Sequence, residues 1–456
     1  MYDIMIIGGG SGGYAAAIRA AQLGASVILA ECAETGGTCV HRGCIPTKVW
    51  LKAGAFLDQI ETGKAYGIDS SLKEIDFKTL GERKRGVSAE IGMGMEALLQ
   101  NNGVEYIKGR AVTKSPGQVD VDGKTIETKK IIVATGSSLA SAQIPGLDTA
   151  AMTTDDVLEM SEVAESVLVC GFGYIEVEMA FLLNTFGCKV IMADEPSRIL
   201  PREDSETSQR VAQVLREKGI HIITRSRVES VETTQEGTVC SLSGTKEKSV
   251  TVEKVLVSKR IPNTRGLGLS KLGVKLNTDH GIRVNDRLET SVKGIFAIGD
   301  ATGGWMLSHG ASSMAVFAAE NAMGKNNSYP FHLIPRCLWT QPEMGAVGLS
   351  EEEAEEKGYD VETGSFPYAI NGLAMVRNQV DGAVKIVFDA RYGEILGVHI
   401  VGSNATEIIG EAVMAMQLES TVQELARSIR VHPTFSEAVV DAARDAGGWA
   451  LYLPKG

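Results

Sequence analysis

Asp3–Ile4–Met5–Ile6–Ile7–Gly8–Gly9–Gly10–Ser11–Gly12–Gly13–Tyr14 joins a short apolar run to a glycine-rich turn. Asp3–Ile7 predicts a buried strand, and the alanine-rich segment Tyr14–Leu23 predicts a helix that Gly24 ends. A second strand, Ser26–Ala30, delivers Glu31, 18 residues after Gly13. Gly8, Gly10 and Gly13 form G-x-G-x-x-G. The first glycine of that pattern makes a tight turn, the second lets backbone approach a diphosphate, and the third lets helix and strand pack closely. The helix N-terminus offers amide donors and a positive dipole end to the anion, and Glu31 suits a ribose hydroxyl. A lone glycine motif is weak. One set between a strand and a helix, with an acid ending the next strand, predicts a Rossmann-like dinucleotide site.

The pattern recurs about 160 residues later. Val167–Cys170 predicts a strand, followed by Gly171–Phe172–Gly173–Tyr174–Ile175–Glu176–Val177–Glu178. The helix runs to about Phe186, Gly187 ends it, and the strand Lys189–Ala193 leads to Asp194. Glu176 stands where the third glycine belongs. Either the helix stands slightly off its strand or the Glu176 side chain points to solvent. Asp194 suits a free ribose 2′-hydroxyl, and Glu195 follows where a 2′-phosphate would want arginine, so NAD is favoured over NADP. Arg198 and Arg202 read as part of a solvated loop.

Between the two fingers lies Gly36–Gly37–Thr38–Cys39–Val40–His41–Arg42–Gly43–Cys44–Ile45–Pro46–Thr47–Lys48. A disulfide across four intervening residues closes a tiny loop, and loop-closure stabilisation grows with loop length. Such a bridge contributes little to folding, so its natural use is to open and close, carrying two electrons. Two unrelated core cysteines are the plain alternative. Zinc is poorly served, because C-x4-C has no second Cys/His cluster near it. No metal site is expected. Cys170, Cys188, Cys240 and Cys337 read as structural, and Cys32 has no role in this reading.

The chain has 456 residues, enough for about three domains. A mean hydropathy near zero and the lack of any run of membrane-spanning length describe a soluble globular protein. A net charge of −12 argues against nucleic acid, which needs a basic surface. Met1–Tyr2–Asp3 runs directly into the first strand and leaves no room for a signal peptide. Seven cysteines without an export signal fit a reducing cytoplasm.

Two dinucleotide fingers bracketing a C-x4-C pair, in this order, resemble the flavoprotein disulfide reductases across essentially the whole chain. Gly36–Lys48 is similar to the family's redox segment. Ala134–Thr135–Gly136–Ser137 resembles the turn that returns to the flavin domain. Gly294–Ile295–Phe296–Ala297–Ile298–Gly299–Asp300 resembles the second flavin motif, and Met306–Leu307–Ser308–His309 would open the helix that follows. Thr340–Gln341–Pro342–Glu343, Val347–Gly348–Leu349 and His432–Pro433–Thr434–Phe435–Ser436–Glu437 resemble the interface domain. There are departures. Lys259–Arg260–Ile261–Pro262–Asn263 lacks the usual leading glycine and follows a shortened strand. Arg430 replaces a common histidine, Met314 a usual glutamate, and Tyr174 a small aliphatic residue.

The resemblance implies an α/β protein with two Rossmann-like domains and a C-terminal α+β dimerisation domain. An FAD domain would span 1–146 and 272–334, an NAD domain 147–271, and an interface domain 335–456. The cofactors implied are FAD and NAD. FAD and NAD would be lined by Gly8, Gly10, Gly13, Glu31, Thr38, Lys48, Ala111, Thr135, Gly136, Asp300 and Ser308, and by Gly171, Gly173, Tyr174, Glu178, Asp194 and Val228. Cys44 would face the flavin and Cys39 the substrate. Lys48, one helical turn after Cys44, would sit near the flavin N5 and pair with Glu178. His432 would shuttle protons, oriented by Glu437. Pro433 would start the helix that carries Glu437. His41, His221, His280, His309, His332 and His399 have no comparable partner pattern.

The implied activity is electron transfer between dihydrolipoyl groups and NAD, with a lipoyl-bearing carrier as partner in a homodimer serving a 2-oxoacid dehydrogenase or glycine-cleavage system. The alternatives are a reductase of glutathione or coenzyme A disulfide and a flavin-binding assembly subunit with vestigial catalysis. A mercuric-type reductase is disfavoured, because Ala450–Leu451–Tyr452–Leu453–Pro454–Lys455–Gly456 lacks a cysteine pair. In the last third, Ala383–Phe388 and Ile395–Val401 predict alternating strands joined at 389–394, and Glu407–Glu419 predicts a helix.

Overall fold

The apolar run at the start forms strand β1 (Tyr2–Ile7), whose last four residues are buried. The computed structural model describes residues 1–147 and 150–454 and divides into two compact units. The last two residues of the tail, Lys455 and Gly456, lie outside the described residues. In the first unit β1 is followed by helix α1 (Ser11–Gln22), strand β2 (Val27–Glu31), helices α2 (Gly37–His41), α3 (Cys44–Thr62) and α4 (Phe77–Asn101), and strand β3 (Glu105–Lys108). Strands β4 (Ala111–Ser115), β5 (Gln118–Val121), β6 (Lys124–Val133) and β7 (Ser137–Leu139) complete its N-terminal part. The sheet order is β3-β2-β1-β6-β5-β4, with the strand Ile295–Ala297 added parallel to β6. Strands β3, β2, β1 and β6 run parallel, which places α1 and its glycine turn at the carboxyl end of β1. Ligands of open α/β sheets bind at that end. Residues 258–330 belong to this first unit, where Arg260–Pro262 pairs antiparallel with β7.

The second unit takes residues 143–153, 162–257 and 331–456. It holds a five-stranded parallel sheet built from Ser166–Cys170, Lys189–Ala193, His221–Ile223, Lys254–Val257 and Ala151–Met152. A separate five-stranded antiparallel sheet runs Arg336–Leu338, Glu343–Gly348, Glu394–Gly402, Ala383–Asp389, Val361–Pro367. Three local expectations are corrected. The strands Ala383–Asp389 and Glu394–Gly402 do not alternate, because both faces are covered: every residue of the first is buried. Val384, Ile386 and Phe388 face the main core, whereas Val387 packs with Ala354 and Leu396. The helix expected at 407–419 is Ala405–Gln417, and it starts early because Glu343 accepts the Thr406 amide at 3.0 Å and hydroxyl at 2.7 Å. The helix expected from Pro433 begins only at Glu437, because the Thr434 amide is taken by the Glu437 carboxylate at 2.7 Å.

No helix among the described residues is long and apolar enough to cross a membrane. The second unit buries charge. Glu203 and Arg336 make a bidentate pair at 2.7 and 3.1 Å, with side chains 0% and 5% exposed. Arg336 also donates to Gly348 O at 3.2 Å, and Tyr174 donates to Glu203. Burial lowers the Arg336 pKa, and the Glu203 charge more than offsets this and leaves it raised. Nearby, Lys385 bonds Asp204 at 2.9 Å and Glu351 at 2.6 Å. Removing one partner of such a pair strands the other charge in a dry interior, a loss of about 3–5 kcal/mol. Glu203→Ala should therefore lower the thermal midpoint sharply. Adding Arg336→Met to it should restore most of the loss, and calorimetry of the two variants checks both.

Candidate active site

The first finger is built for a dinucleotide. Gly8 adopts φ +102°, and a Cβ there would lie 2.3 Å from Ala134 O. A Cβ on Gly13 would fall 1.7 Å from Gly8 O, so helix and strand approach as only glycine allows. On the Cβ side of Gly10 nothing lies nearer than 4.0 Å, which leaves open space at the N-terminus of α1. The buried Glu31 carboxylate is held at the end of β2 by the Gly9 amide at 2.6 Å and the Ala33 amide at 2.7 Å. A glycine cradle with a fixed acid at the ribose position fits FAD.

The redox segment packs directly on this finger. The Gly36 amide donates to Gly9 O at 2.9 Å, and a Cβ on Gly37 would sit 3.0 Å from the Gly10 Cα. The paired glycines before Thr38 are therefore contact residues. Cys39 lies in α2 and Cys44 is the first residue of α3, and the two are thiols not joined by a disulfide. A hydrogen bond from Cys44 is the main influence on Cys39 and holds its thiol below the usual range, helped by Ser308, Ser11 and the Lys48 charge and opposed by burial. Ser11 Oγ and Ser308 Oγ are 2.6 Å apart, with Ser308 opening the helix Ser308–Ala322. Cys44 stands at the positive end of a 19-residue helix, where a thiolate is favoured.

Around this pair the first unit gathers other positions named from sequence. Thr135 Oγ1 donates to Asn263 O at 2.7 Å, and the Asn263 amide donates to Gly136 O at 2.9 Å. Ser137 Oγ donates to Asp300 Oδ2 at 2.6 Å. Ala111 is buried at the start of β4. Arg260, which the sequence marks only as part of a departing motif, links two of these segments. It donates to Ser137 Oγ at 2.8 Å, to Ser137 O at 2.6 Å and to Thr38 Oγ1 at 3.4 Å. Burial pulls its pKa down, and Asp300 opposes that. The Arg-x-Pro-Asn pattern could have flagged Arg260 and Asn263 together. Ser11 carried no such signal.

In the second unit, Gly173 caps the helix Tyr174–Thr185 and Gly171 has φ +128°. Tyr174 opens that helix with its hydroxyl bonded to Glu203, and burial drives its pKa up. Glu178 is buried and accepts the Trp339 amide at 3.0 Å. Asp194 Oδ1 accepts the Glu195 amide at 2.8 Å, and Arg227 Nη1 lies 4.0 Å from the exposed Glu195. Val228 lies in the strand Arg227–Thr234, paired with Leu242. Glu203 and Arg336 were invisible in the sequence, which holds no pattern linking residues 133 positions apart.

His432 Nδ1 lies 2.8 Å from Glu437 Oε1, with the imidazole 78% exposed. An Nδ1–H donated to the carboxylate leaves the Nε2 lone pair outward. Arg430 is occupied elsewhere, meeting Glu411 at 2.7 and 2.8 Å. Ile429 and Val431, 94% and 77% exposed, flank it as an apolar surface. Cys170, Cys188 and Cys240 are pushed up to about 12, 12 and 11, mainly by burial. Cys32 is exposed. His399 is buried and bonds Leu349 O at 2.9 Å, and burial lowers its pKa. No cluster that could hold a metal occurs among the described residues.

Comparison with known proteins agrees over the whole chain. Residues 2–315 match the pyridine nucleotide-disulphide oxidoreductase model, and residues 334–443 match the dimerisation domain of the same group. The dihydrolipoyl dehydrogenase of Thermus scotoductus is 36% identical, with 99% of each chain covered. That of Bacillus subtilis is also 36% identical, again with 99% of each covered. Among solved structures, LpdA from Mycobacterium tuberculosis superposes with a TM-score of 0.88 at 25% identity, covering 97% of this chain and 99% of that one.

Proposed function

The chain belongs to the pyridine nucleotide-disulphide oxidoreductases, and we propose that within them it oxidises dihydrolipoyl groups with NAD through a Cys39–Cys44 disulfide. One observation carries this reading. The Cys39 and Cys44 thiols are hydrogen-bonded to each other beside the first glycine finger, the arrangement a two-electron dithiol–disulfide couple needs. The first finger and Glu31 would hold FAD, which when bound would supply the relay between this couple and NAD.

The chain's own residues account for the thiol chemistry. His432 Nε2 takes the proton of a substrate thiol, and Glu437 stabilises the imidazolium. The substrate thiolate attacks Cys39 Sγ; the Cys39–Cys44 bond breaks, and Cys44 leaves as a thiolate at the N-terminus of α3. The second substrate thiol passes its proton to Cys39 as its sulfur displaces Cys39 from the mixed disulfide. The substrate ends as a cyclic disulfide and the enzyme holds a Cys39 thiol, a Cys44 thiolate and a protonated His432, so two electrons have passed to the protein. In the full cycle they pass on to NAD, releasing one proton to water.

The working unit is a homodimer, in which His432 serves the disulfide of the other subunit. The dimerisation domain and the bare Ile429–Val431 surface support this. The partner would be a lipoyl-bearing carrier.

Steady-state assays with NADH or NADPH against lipoamide and glutathione disulfide test the assignment. Lipoamide should be the better acceptor by far; faster glutathione disulfide reduction would overturn it. NADH should exceed NADPH about 100-fold in kcat/KM, because Asp194 can bond a 2′-hydroxyl while Glu195 opposes a 2′-phosphate by a few kcal/mol. Equal constants would refute the nucleotide assignment.

A further inference from the structure

The two fingers differ in the seat meant for the diphosphate. At Gly10 that space is open, with no atom nearer than 4.0 Å to a hypothetical Cβ. At Gly173 it is filled: a Cβ there would meet Glu176 Oε2 at 2.5 Å. A Cβ on Gly171 would meet Glu176 Cγ at 2.8 Å and Cδ at 3.1 Å. The Glu176 side chain is half-buried and folded back over both glycines, so it does not simply point to solvent. Its position explains the fold-back. Glu176 is the third residue of the helix Tyr174–Thr185, where a carboxylate can reach the first-turn amides and the positive dipole end. Those are the groups that a dinucleotide diphosphate uses.

We propose that the Glu176 carboxylate is a resident anion in the second finger, which the diphosphate of the nicotinamide dinucleotide must displace in order to bind. The inference rests on the second finger being the NAD site. Two anions cannot share one helix terminus, so Glu176 turns outward as the nucleotide enters, and the nucleotide's apparent affinity is lowered by the fraction of molecules in which the seat is taken. Occupancy in about nine molecules of ten raises the apparent Kd about tenfold. The residue thus sets how tightly the enzyme holds its nucleotide.

The test uses the FAD-loaded oxidised dimer and calorimetric titration with ADP-ribose, which carries the diphosphate and lacks the nicotinamide. Glu176→Gln keeps the size and removes the charge; Glu176→Gly restores the open turn. Both should bind ADP-ribose about tenfold tighter than the parent, with NAD following the same order. Adenosine, which has no phosphate, should bind the parent and Glu176→Gln alike. Unchanged or weaker ADP-ribose binding by Glu176→Gln overturns the proposal, and so does an equal gain for adenosine. Gly173→Val separates the two readings. If it abolishes ADP-ribose binding while Glu176→Gln changes nothing, the site stands and the resident anion falls. If Gly173→Val binds normally, both fall.

Discussion

Cys39→Ser should reduce NAD-linked lipoamide turnover at least about 10³-fold while the protein stays dimeric and flavin-loaded. The size of the effect follows from the role. In the proposed mechanism Cys39 is the sulfur that the substrate attacks, and the buried thiols elsewhere in the chain are poor substitutes for it. Cys170, Cys188 and Cys240 are held at about 12, 12 and 11 by burial, so they stay protonated. Cys32→Ser should be far milder than Cys39→Ser, since Cys32 is exposed and its side chain meets Glu31 rather than either thiol of the couple. Alkylation gives an independent readout. In the reduced enzyme at neutral pH, iodoacetamide should label Cys39 fast, because Cys44, Ser308 and Ser11 hold its pKa down. Lowering the pH should slow the labelling as the pair takes up its proton. Turnover by Cys39→Ser within tenfold of the parent would remove the redox assignment.

His432→Gln should cut turnover about 10²–10⁴-fold, the usual contribution of a general base. FAD binding and dimerisation should survive, because the imidazole is not part of its own subunit's core: it is 78% exposed there, and among the described residues its hydrogen-bond partner is Glu437 Oε1 at 2.8 Å. Glu437→Gln should follow the same direction with a smaller loss, since it orients the imidazole. The decisive form of the experiment mixes Cys39→Ser subunits with His432→Gln subunits. If the sites are shared, one heterodimer site pairs an intact Cys39 with an intact His432 from the other chain. Random exchange of equal amounts makes half the dimers hybrid, so about a quarter of parent activity should return. Exchange verified by mass with no activity returned would refute the shared site.

Much of this was legible in the residues. The first finger works through spacing alone: Gly8, Gly10 and Gly13 lie within one turn, and Glu31 ends the adjacent strand β2. Local geometry follows from local sequence there, and the strands and helices around both fingers fall within a few residues of expectation. The cysteine pair was legible for the same reason, since four intervening residues bring two thiols together without help from the rest of the chain. His432 and Glu437 are five residues apart, again a local event.

Burial and long-range partnership were settled by tertiary structure. Ala383–Asp389 shows an alternating pattern, yet all of it is buried, because Lys385 on the second face finds Asp204 and Glu351. The buried union of Tyr174, Glu203 and Arg336 joins Glu203 to partners 29 and 133 residues away, and nothing in any one segment announces the others. Arg260 acquires its place only when Arg260–Pro262 pairs with β7 beside Thr38. Glu176 is the sharpest case. The sequence by itself determined that the second finger lacks its third glycine. Only the folded chain decided that the carboxylate turns back over Gly171 and Gly173, because the third position of a helix lies beside its positive pole and a tethered anion there is drawn to it.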